Sequence, residues 1–144
     1  MHVEAILKNK GREVTTIAPE TTVKAAAVMM HGRRIGALVV TDPQGRIAGI
    51  VSERDIVAAI AQRGERALDL KVADLMTREV VTCAPGDTVR HLMTVMTSRR
   101  MRHIPVVVDG RLAGIVSIGD VVKSRIEESE MEANMLRDYV MAGH

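Results

Sequence analysis

The chain has almost no aromatic residues: of its 144 residues, Tyr139 is the single Phe, Trp or Tyr. A hydrophobic core must therefore be built from aliphatic side chains and the ten methionines. The scarcity of aromatics also disfavours a protein that stacks nucleic-acid bases on aromatic rings. Cys83 is the single cysteine, which excludes a disulfide framework and favours a reducing compartment.

Long apolar runs are also absent. No stretch approaches the roughly 20 apolar residues that a membrane-spanning helix needs, and residues 1–10 lack the apolar block of a signal peptide. We therefore expect a cytoplasmic protein without a membrane partner. The formal net charge of +2 indicates phosphate-bearing partners at most, and nucleic acid is an unlikely partner.

What the sequence does contain is one unit written twice, in residues 14–60 and 80–126. The two copies align at an offset of 66, which becomes 65 after a one-residue deletion in the second copy. Identical pairs run through the whole unit, among them Val14 and Val80, Pro19 and Pro85, Met30 and Met96, Val40 and Val106, Gly49 and Gly114, Ser52 and Ser117, and Asp55 and Asp120. A repeat of this density predicts two copies of one structural unit.

Each copy predicts the order β-α-β-β-α. A short extended segment ends before a proline, and Thr21 or Asp87 is the expected N-cap of the helix that follows. Apolar residues at three- and four-residue spacing predict that helix, and Asp109-Gly110 between apolar runs predicts a hairpin. A second strand leads to another helix, which begins near Glu53 or Ile118. The expected fold class is therefore α+β, with two tandem units packed about a pseudo-twofold axis.

We divide the chain into a first repeat with its lead-in (1–66), a second repeat (67–126) and a helical tail (127–144). The lead-in Val3–Leu7 echoes Val72–Met76, so each repeat has a similar preceding segment. The tail predicts one helix, and the candidates for an apolar stripe along it are Ile126, Met131, Met135, Leu136 and Val140.

The most specific motif closes each unit: Gly, two β-branched residues, Ser, two variable residues and Asp, in residues 49–55 and 114–120. A Ser three residues before an Asp at a helix start is typical of a capping box. Two features favour a ligand site as well. A helix N-terminus attracts anions, and the upstream glycine would let a ligand approach the backbone. An acidic residue here could also accept hydrogen bonds from ribose hydroxyls.

The doubled unit with this ending resembles the tandem CBS (cystathionine β-synthase) domain, as do the opening Val-x-Thr-h-Ala-Pro and the segment Arg102–Val107. The resemblance spans residues 3–126 and implies a Bateman module, in which paired repeats bind AMP, ADP, ATP, NAD or S-adenosylmethionine in clefts between them. It implies that Asp55 and Asp120 hold ribose and that Ser52 and Ser117 donate to phosphate.

The same resemblance implies the rest of the site. The adenine slot would be lined by Thr16, Ile35, Gly36, Ala37, Thr82, Met101, Arg102 and His103. Arg54, Arg102 and His103 are candidates for phosphate contacts, and Lys8 and Lys10 are expected near Arg54. Arg33, Arg34, Arg99 and Arg100 are interpreted as solvated helix ends. Val39 replaces the family-like Pro105 in the first copy, so we expect the first cleft to be the less typical one.

We expect no catalytic residue, no metal site and no obligatory cofactor. His2, His31, His91 and His144 lack metal-ligand spacing, and Cys83 aligns with Ile17, a strand position, as a core residue. CBS pairs also occur in inosine monophosphate dehydrogenases, but the barrel of such an enzyme needs about 250 residues. The expected partners are an adenine nucleotide, a second copy in a homodimer, and an unknown downstream protein. The alternatives are a ligand-independent dimerisation module and a nucleic-acid-binding protein.

Overall fold

Two small sheets, one from each repeat, organise the fold. In the computed structural model, which describes residues 1–142, β1 (Thr16–Ile17) runs parallel to β2 (Ala37–Thr41). Strand β2 pairs antiparallel with β3 (Ile47–Ser52). In the second sheet, β4 (His103–Val108) pairs antiparallel with β5 (Arg111–Ser117).

The two sheets share their register. Val40 lies opposite Gly49 and Val106 opposite Gly114, and a bulge follows each of these pairs. The counterpart of β1 is reduced to one parallel bridge between Cys83 and Val106. The expected hairpin at Asp109-Gly110 is present, with φ of 51° and 76° at its two central residues, the left-handed conformations that a two-residue hairpin requires.

Five α-helices in the described chain accompany the strands. They are α1 (Val3–Lys10), α2 (Val23–Arg33), α3 (Glu53–Arg63), α4 (Val89–Arg99) and α5 (Ile118–Met141). Short 3₁₀ turns at Gly64–Asp69 and Val72–Asp74 connect the repeats. The order of elements after each lead-in confirms the predicted α+β pair of β-α-β-β-α units.

The N-caps of α2 and α4 lie one residue beyond those predicted from the sequence. Thr22 accepts from Ala25 N, and Thr88 accepts from His91 N, both at 3.1 Å. Asp87 was the wrong candidate because its carboxylate accepts from Ala84 N at 2.9 Å and closes the preceding turn. Thr21 is likewise not the cap.

Each repeat has its own aliphatic core, and the lead-in segments are exchanged between them. Val3, Ile6 and Leu7 of α1 belong to the core of the second repeat, whereas Val72 and Met76 belong to the core of the first. The backbone follows the same exchange. Val3 N and Glu4 N donate to the carbonyls of residues 87 and 85, and Val72 N and Ala73 N donate to those of residues 21 and 19. The domain boundaries at residues 66 and 126 stay a prediction. Helix α1, however, packs against the second repeat and not against the first repeat, which directly follows it in the chain.

The glycine of each closing motif leaves space for a side chain of the exchanged lead-in. A Cβ on Gly49 would lie 2.6 Å from Met76 Sδ and 2.8 Å from the Thr77 carbonyl oxygen, and a Cβ on Gly114 would lie 2.6 Å from Leu7 Cδ2. Such distances are too short for a carbon contact. The space that we assigned to an approaching ligand is therefore filled by a lead-in side chain.

The tail continues α5 without a break from its cap at Ser117 to Met141. The predicted stripe residues are exposed, from Ile126 at 53% to Met135 at 69%. Cys83 is buried in the second core, as its strand position predicted. Burial, with a smaller effect of Asp87, raises the pKa of this thiol to about 12, so it stays protonated at neutral pH.

Candidate functional site: a cleft between the repeats

A cleft of about 350 Å³ lies where the first closing motif meets the second repeat. The start of β2 and the end of β3 form one wall with the first turn of α3. The end of the connection between the repeats, the first residues of the second repeat and the chain that enters β4 complete the lining. The lining residues are Gly36, Ala37, Ile50, Ser52, Glu53, Arg54, Asp55, Thr77, Glu79, Val80, Val81, Arg99, Arg100, Met101, Arg102 and His103.

The closing motif of the first repeat is a complete capping box. Asp55 Oδ2 accepts from Ser52 N at 2.8 Å and from Ser52 Oγ at 3.1 Å, and Ser52 Oγ accepts from Asp55 N at 3.4 Å. The capping interpretation of the motif is therefore confirmed. Because the Ser52 hydroxyl points at Asp55, donation to a phosphate would require that it rotate.

The second repeat has the same box with one additional partner. Asp120 Oδ2 accepts from Ser117 N at 2.9 Å, and Ser117 Oγ accepts from Asp120 N at 3.2 Å. The added partner is Lys10, whose Nζ lies 2.7 Å from Asp120 Oδ2 and 2.9 Å from the carbonyl oxygen of Ile115. Partial burial raises the pKa of the Asp120 carboxyl, but the bonds from Lys10 and Ser117 outweigh it and hold that pKa below its ordinary value.

The thirteen predicted site residues are thus divided by the structure. Those that line the cleft are Gly36, Ala37, Ser52, Arg54, Asp55, Met101, Arg102 and His103. Ser117 and Asp120 form the second box, and Asp120 lines a smaller cavity of about 80 Å³ between α1 and α5. Thr16, Ile35 and Thr82 are not among the residues that line the cleft, and both threonines are exposed.

The structure refines two expectations about charge. Lys10 lies at Asp120 rather than beside Arg54, because α1 packs on the second repeat. Arg99 and Arg100, interpreted as a solvated helix end, line the cleft. Arg100 takes the left-handed conformation, with φ of 54°, and the chain turns there from α4 toward the cleft. The signal available in the sequence was their position directly before Met101 and Arg102.

Sequence reasoning also missed four lining residues at the end of the connection and at the start of the second repeat. Thr77, Glu79, Val80 and Val81 line the cleft, and Thr77 pairs with Ile50 of β3 through backbone bonds of 2.9 and 3.0 Å. The family resemblance pointed to Thr82, which is exposed, whereas the residues just before it line the cleft.

His103 lies where the two repeats meet. A Cβ on Gly36 would lie 3.4 Å from its imidazole. Burial lowers the pKa of His103, and the charge of Lys10 adds to this effect, whereas the carboxylates of Glu53 and Asp120 oppose it. The lowered pKa favours the neutral ring, which offers one donor and one acceptor.

Within residues 1–142, no group of three or more His, Cys, Asp and Glu side chains is placed to hold a metal ion; His144 lies outside these residues. In the same range, no helix is long and apolar enough to cross a membrane.

Two like units with exchanged lead-ins and a shared cleft define a tandem-repeat module. The family model for the CBS domain matches residues 6–62 and 72–127, and the chain belongs to the CBS-domain family. It is 36% identical over 150 residues to the CBS domain-containing protein CBSX3, mitochondrial, of Arabidopsis thaliana, which covers 99% of this chain and 73% of that protein.

Solved structures agree in fold. A CBS-domain containing protein of Agrobacterium tumefaciens is 47% identical, with a TM-score of 0.85 and coverage of 87% of this chain and 99% of that one. A CBS domain pair solved in complex with 5′-methylthioadenosine and S-adenosyl-L-methionine is 27% identical, with a TM-score of 0.77 and coverage of 90% and 98%. The fold is therefore that of a CBS pair, the Bateman module, and a similar pair holds adenosine compounds.

Proposed function

We propose that the chain is a non-catalytic regulatory module that binds an adenine nucleotide (AMP, ADP, ATP or NAD) in a cleft between its two repeats. The observation that carries this proposal is the cleft of about 350 Å³. In it, Arg54 and Asp55 of one repeat share a lining with Arg102 and His103 of the other. Small-molecule sites enclose about 300 to 1,000 Å³, so the volume suits a nucleotide.

The lining offers a partner for each part of the ligand. Within the described residues the capping bonds of Asp55 use Oδ2, which leaves Oδ1 to accept from ribose hydroxyls. The N-terminus of α3 and the arginine side chains supply positive charge for phosphate. The aliphatic side chains of Ile50, Val81 and Met101 provide an apolar slot for adenine.

The balance of charge favours a ligand with few phosphates. Four arginines line the cleft together with the carboxylates of Glu53, Asp55 and Glu79. This leaves a formal excess of one positive charge, which suits AMP or NAD better than a triphosphate. A cationic ligand such as S-adenosylmethionine gains less from this lining, although a similar pair binds it.

The output of the module is a change of shape. A ligand that contacts both repeats shifts their relative arrangement only if it binds one arrangement more tightly. Such a sensor of energy or redox state would pass the change to a downstream protein. The expected cytoplasmic location stays a prediction.

We also propose a homodimer. Apolar side chains remain exposed on three helices of the described chain: Val57 and Ile60 on α3, Met93 on α4, and Val122 and Ile126 on α5. Covering them against a second copy would bury an apolar surface that is otherwise in contact with water. Light scattering after size exclusion tests this, and a monomeric mass at micromolar concentration would contradict it.

The binding proposal is tested by a thermal-shift screen with AMP, ADP, ATP, NAD, NADH and S-adenosylmethionine, followed by calorimetry. A ligand specific for the folded state stabilises it by about 2.7 kcal/mol at a hundred times its Kd. The variant Asp55→Asn keeps one oxygen for the cap but replaces an acceptor by a donor, and should weaken binding at least about tenfold. Asp87→Asn, which alters a turn carboxylate outside the cleft, is the matched control.

The remaining outcomes separate the alternatives. The absence of a shift with every nucleotide would favour the ligand-independent dimerisation module. Affinity for DNA or RNA that falls steeply with salt would favour a nucleic-acid-binding protein. Equal affinity of the wild type and Asp55→Asn would contradict the assignment of Asp55.

A further inference from the structure

The two repeats satisfy equivalent carbonyl groups in different ways. In the first, the Ile50 carbonyl accepts from the backbone N–H of Thr77 at 2.9 Å. In the second, the equivalent carbonyl, that of Ile115, accepts from the side chain of Lys10 at 2.9 Å. The reason lies in the lead-ins: the 3₁₀ turn before the second repeat ends at Asp74, whereas α1 stays helical through Lys10.

The ammonium group of Lys10 therefore lies beside Asp120, at the position in the second repeat that is equivalent to the part of the cleft beside Asp55 in the first. Its Nζ bridges Ile115 on β5 and Asp120 in the first turn of α5. Both side chains of the ion pair are partly shielded, with exposures of 33% for Lys10 and 22% for Asp120. A partly shielded pair is screened less by water than an exposed one.

The backbone holds Lys10 in this place. Three residues of α1 are buried in the second core, Val3, Ile6 and Leu7, so the helix cannot shift without opening that core. Gly11 ends the helix with φ of 97° and donates to the Leu7 carbonyl at 2.9 Å. The backbone that carries Lys10 is thus held close to Asp120 by a fixed helix end.

We propose that Lys10 is a specificity-determining residue that keeps the second cleft closed to nucleotides, so that each chain offers one site, at Asp55. This inference rests on the proposed nucleotide binding. A ribose that approaches Asp120 must displace the ammonium group from the carboxylate and from the Ile115 carbonyl. Among residues 1–142, no side-chain cation is paired with Asp55 in this way, so a ribose that approaches it displaces none.

The test is calorimetry with AMP on the full chain. The wild type should bind one AMP per chain. Lys10→Met keeps the length of the side chain and removes its charge. It should bind a second AMP, with a Kd at least about tenfold below that of any second binding to the wild type, because the charged hydrogen bonds of Lys10 no longer have to be broken. Lys8→Met, an exposed position on the same helix, should behave as the wild type.

A second pair of variants keeps the test valid if Lys10→Met does not fold. In the wild-type background, Asp120→Asn should leave the affinity for AMP and the stoichiometry unchanged, whereas Asp55→Asn should weaken binding at least about tenfold. Two equal sites in the wild type, one site in Lys10→Met, or loss of binding in Asp120→Asn would each overturn the proposal. If neither the wild type nor any variant bound AMP, ADP, ATP or NAD, the proposed nucleotide function would be contradicted instead.

Discussion

The first repeat ends at an open cleft and the second at an ion pair, although their closing motifs are near copies. Both motifs form the same capping box, with backbone bonds of 2.8 and 2.9 Å to the two aspartates. The difference comes from outside the repeats. Thr77 follows the lead-in that packs on the first repeat, and Lys10 ends the lead-in that packs on the second.

The lead-in segments therefore decide whether the closing motif of a repeat lies beside an open cleft or in an ion pair. The exchange of lead-ins places residues 1–10 against the second repeat and residues 70–76 against the first. A change in either segment therefore alters the cleft of the repeat on which it packs.

The largest effect is expected from the buried leucine of α1. Leu7→Ala should lower the free energy of unfolding by about 3 kcal/mol, because it leaves a cavity in the second core. Met76→Ala, its counterpart in the first core, should cost about 2 kcal/mol, since Met76 is 8% exposed and Leu7 only 1%. Urea unfolding measures both. A cost below about 0.5 kcal/mol for Leu7→Ala, equal to that of exposed Lys8→Ala, would contradict the exchange of lead-ins.

The two motif glycines should differ in the same assay. Gly49→Ala brings its Cβ within 2.8 Å of the Thr77 backbone oxygen, whereas Gly114→Ala meets the terminal carbon of a leucine side chain. A side-chain end can move aside and a paired backbone cannot, so we expect costs of about 2 and about 1 kcal/mol. If Gly114→Ala proved the more destabilising of the two, the lead-in contacts would be assigned wrongly.

The N-caps are where the two repeats should match. Thr22→Ala and Thr88→Ala each remove one cap from an equivalent helix, and each should cost about 1 kcal/mol in thermal or urea unfolding. Thr21→Ala is the control, with an expected change within about 0.5 kcal/mol. A larger loss in Thr21→Ala than in Thr22→Ala would restore the cap predicted from the sequence.

The smallest effect concerns His103, which stands where the first repeat has Ala37. Because folding lowers the pKa of His103, the unfolded chain binds this proton more readily, and the free energy of unfolding falls as the pH drops below 6.5. Urea midpoints at pH 7.5 and 5.5 should therefore differ more in the wild type than in His103→Gln. His91→Gln, at an exposed position on α4, should retain the wild-type difference. An identical difference in His103→Gln and the wild type would contradict the shift.

Much of the fold followed from local patterns. The period of the apolar residues predicted α2 and α4, Asp109-Gly110 predicted the hairpin, and the Ser-x-x-Asp spacing predicted both capping boxes. Each of these signals acts within a few residues, where propensity and hydrogen bonding leave few alternatives. The caps at Thr22 and Thr88 were missed by one residue, because the competing carboxylate of Asp87 closes the turn instead.

The candidate site was predictable only in part. Ser52 and Asp55 of the motif line the cleft, as do Arg54, Met101, Arg102 and His103, which the family resemblance implied. Their roles in binding stay predictions. Arg99 and Arg100 are exposed at a helix end, as predicted. They also line the cleft, which the sequence did not indicate because it does not show which helix ends meet across a repeat interface. Thr16 and Thr82 were assigned to the slot, but strand alternation leaves them exposed.

By itself, the sequence determined a doubled β-α-β-β-α unit, an aliphatic core without aromatic support and a capped helix at the end of each repeat. Only the tertiary structure decided that the lead-ins are exchanged. It also decided that Met76 packs against Gly49 and Leu7 against Gly114, and that Lys10 pairs with Asp120. These contacts join residues 27 to 110 positions apart. Their formation depends on how two cores pack together, which no local pattern of residues records.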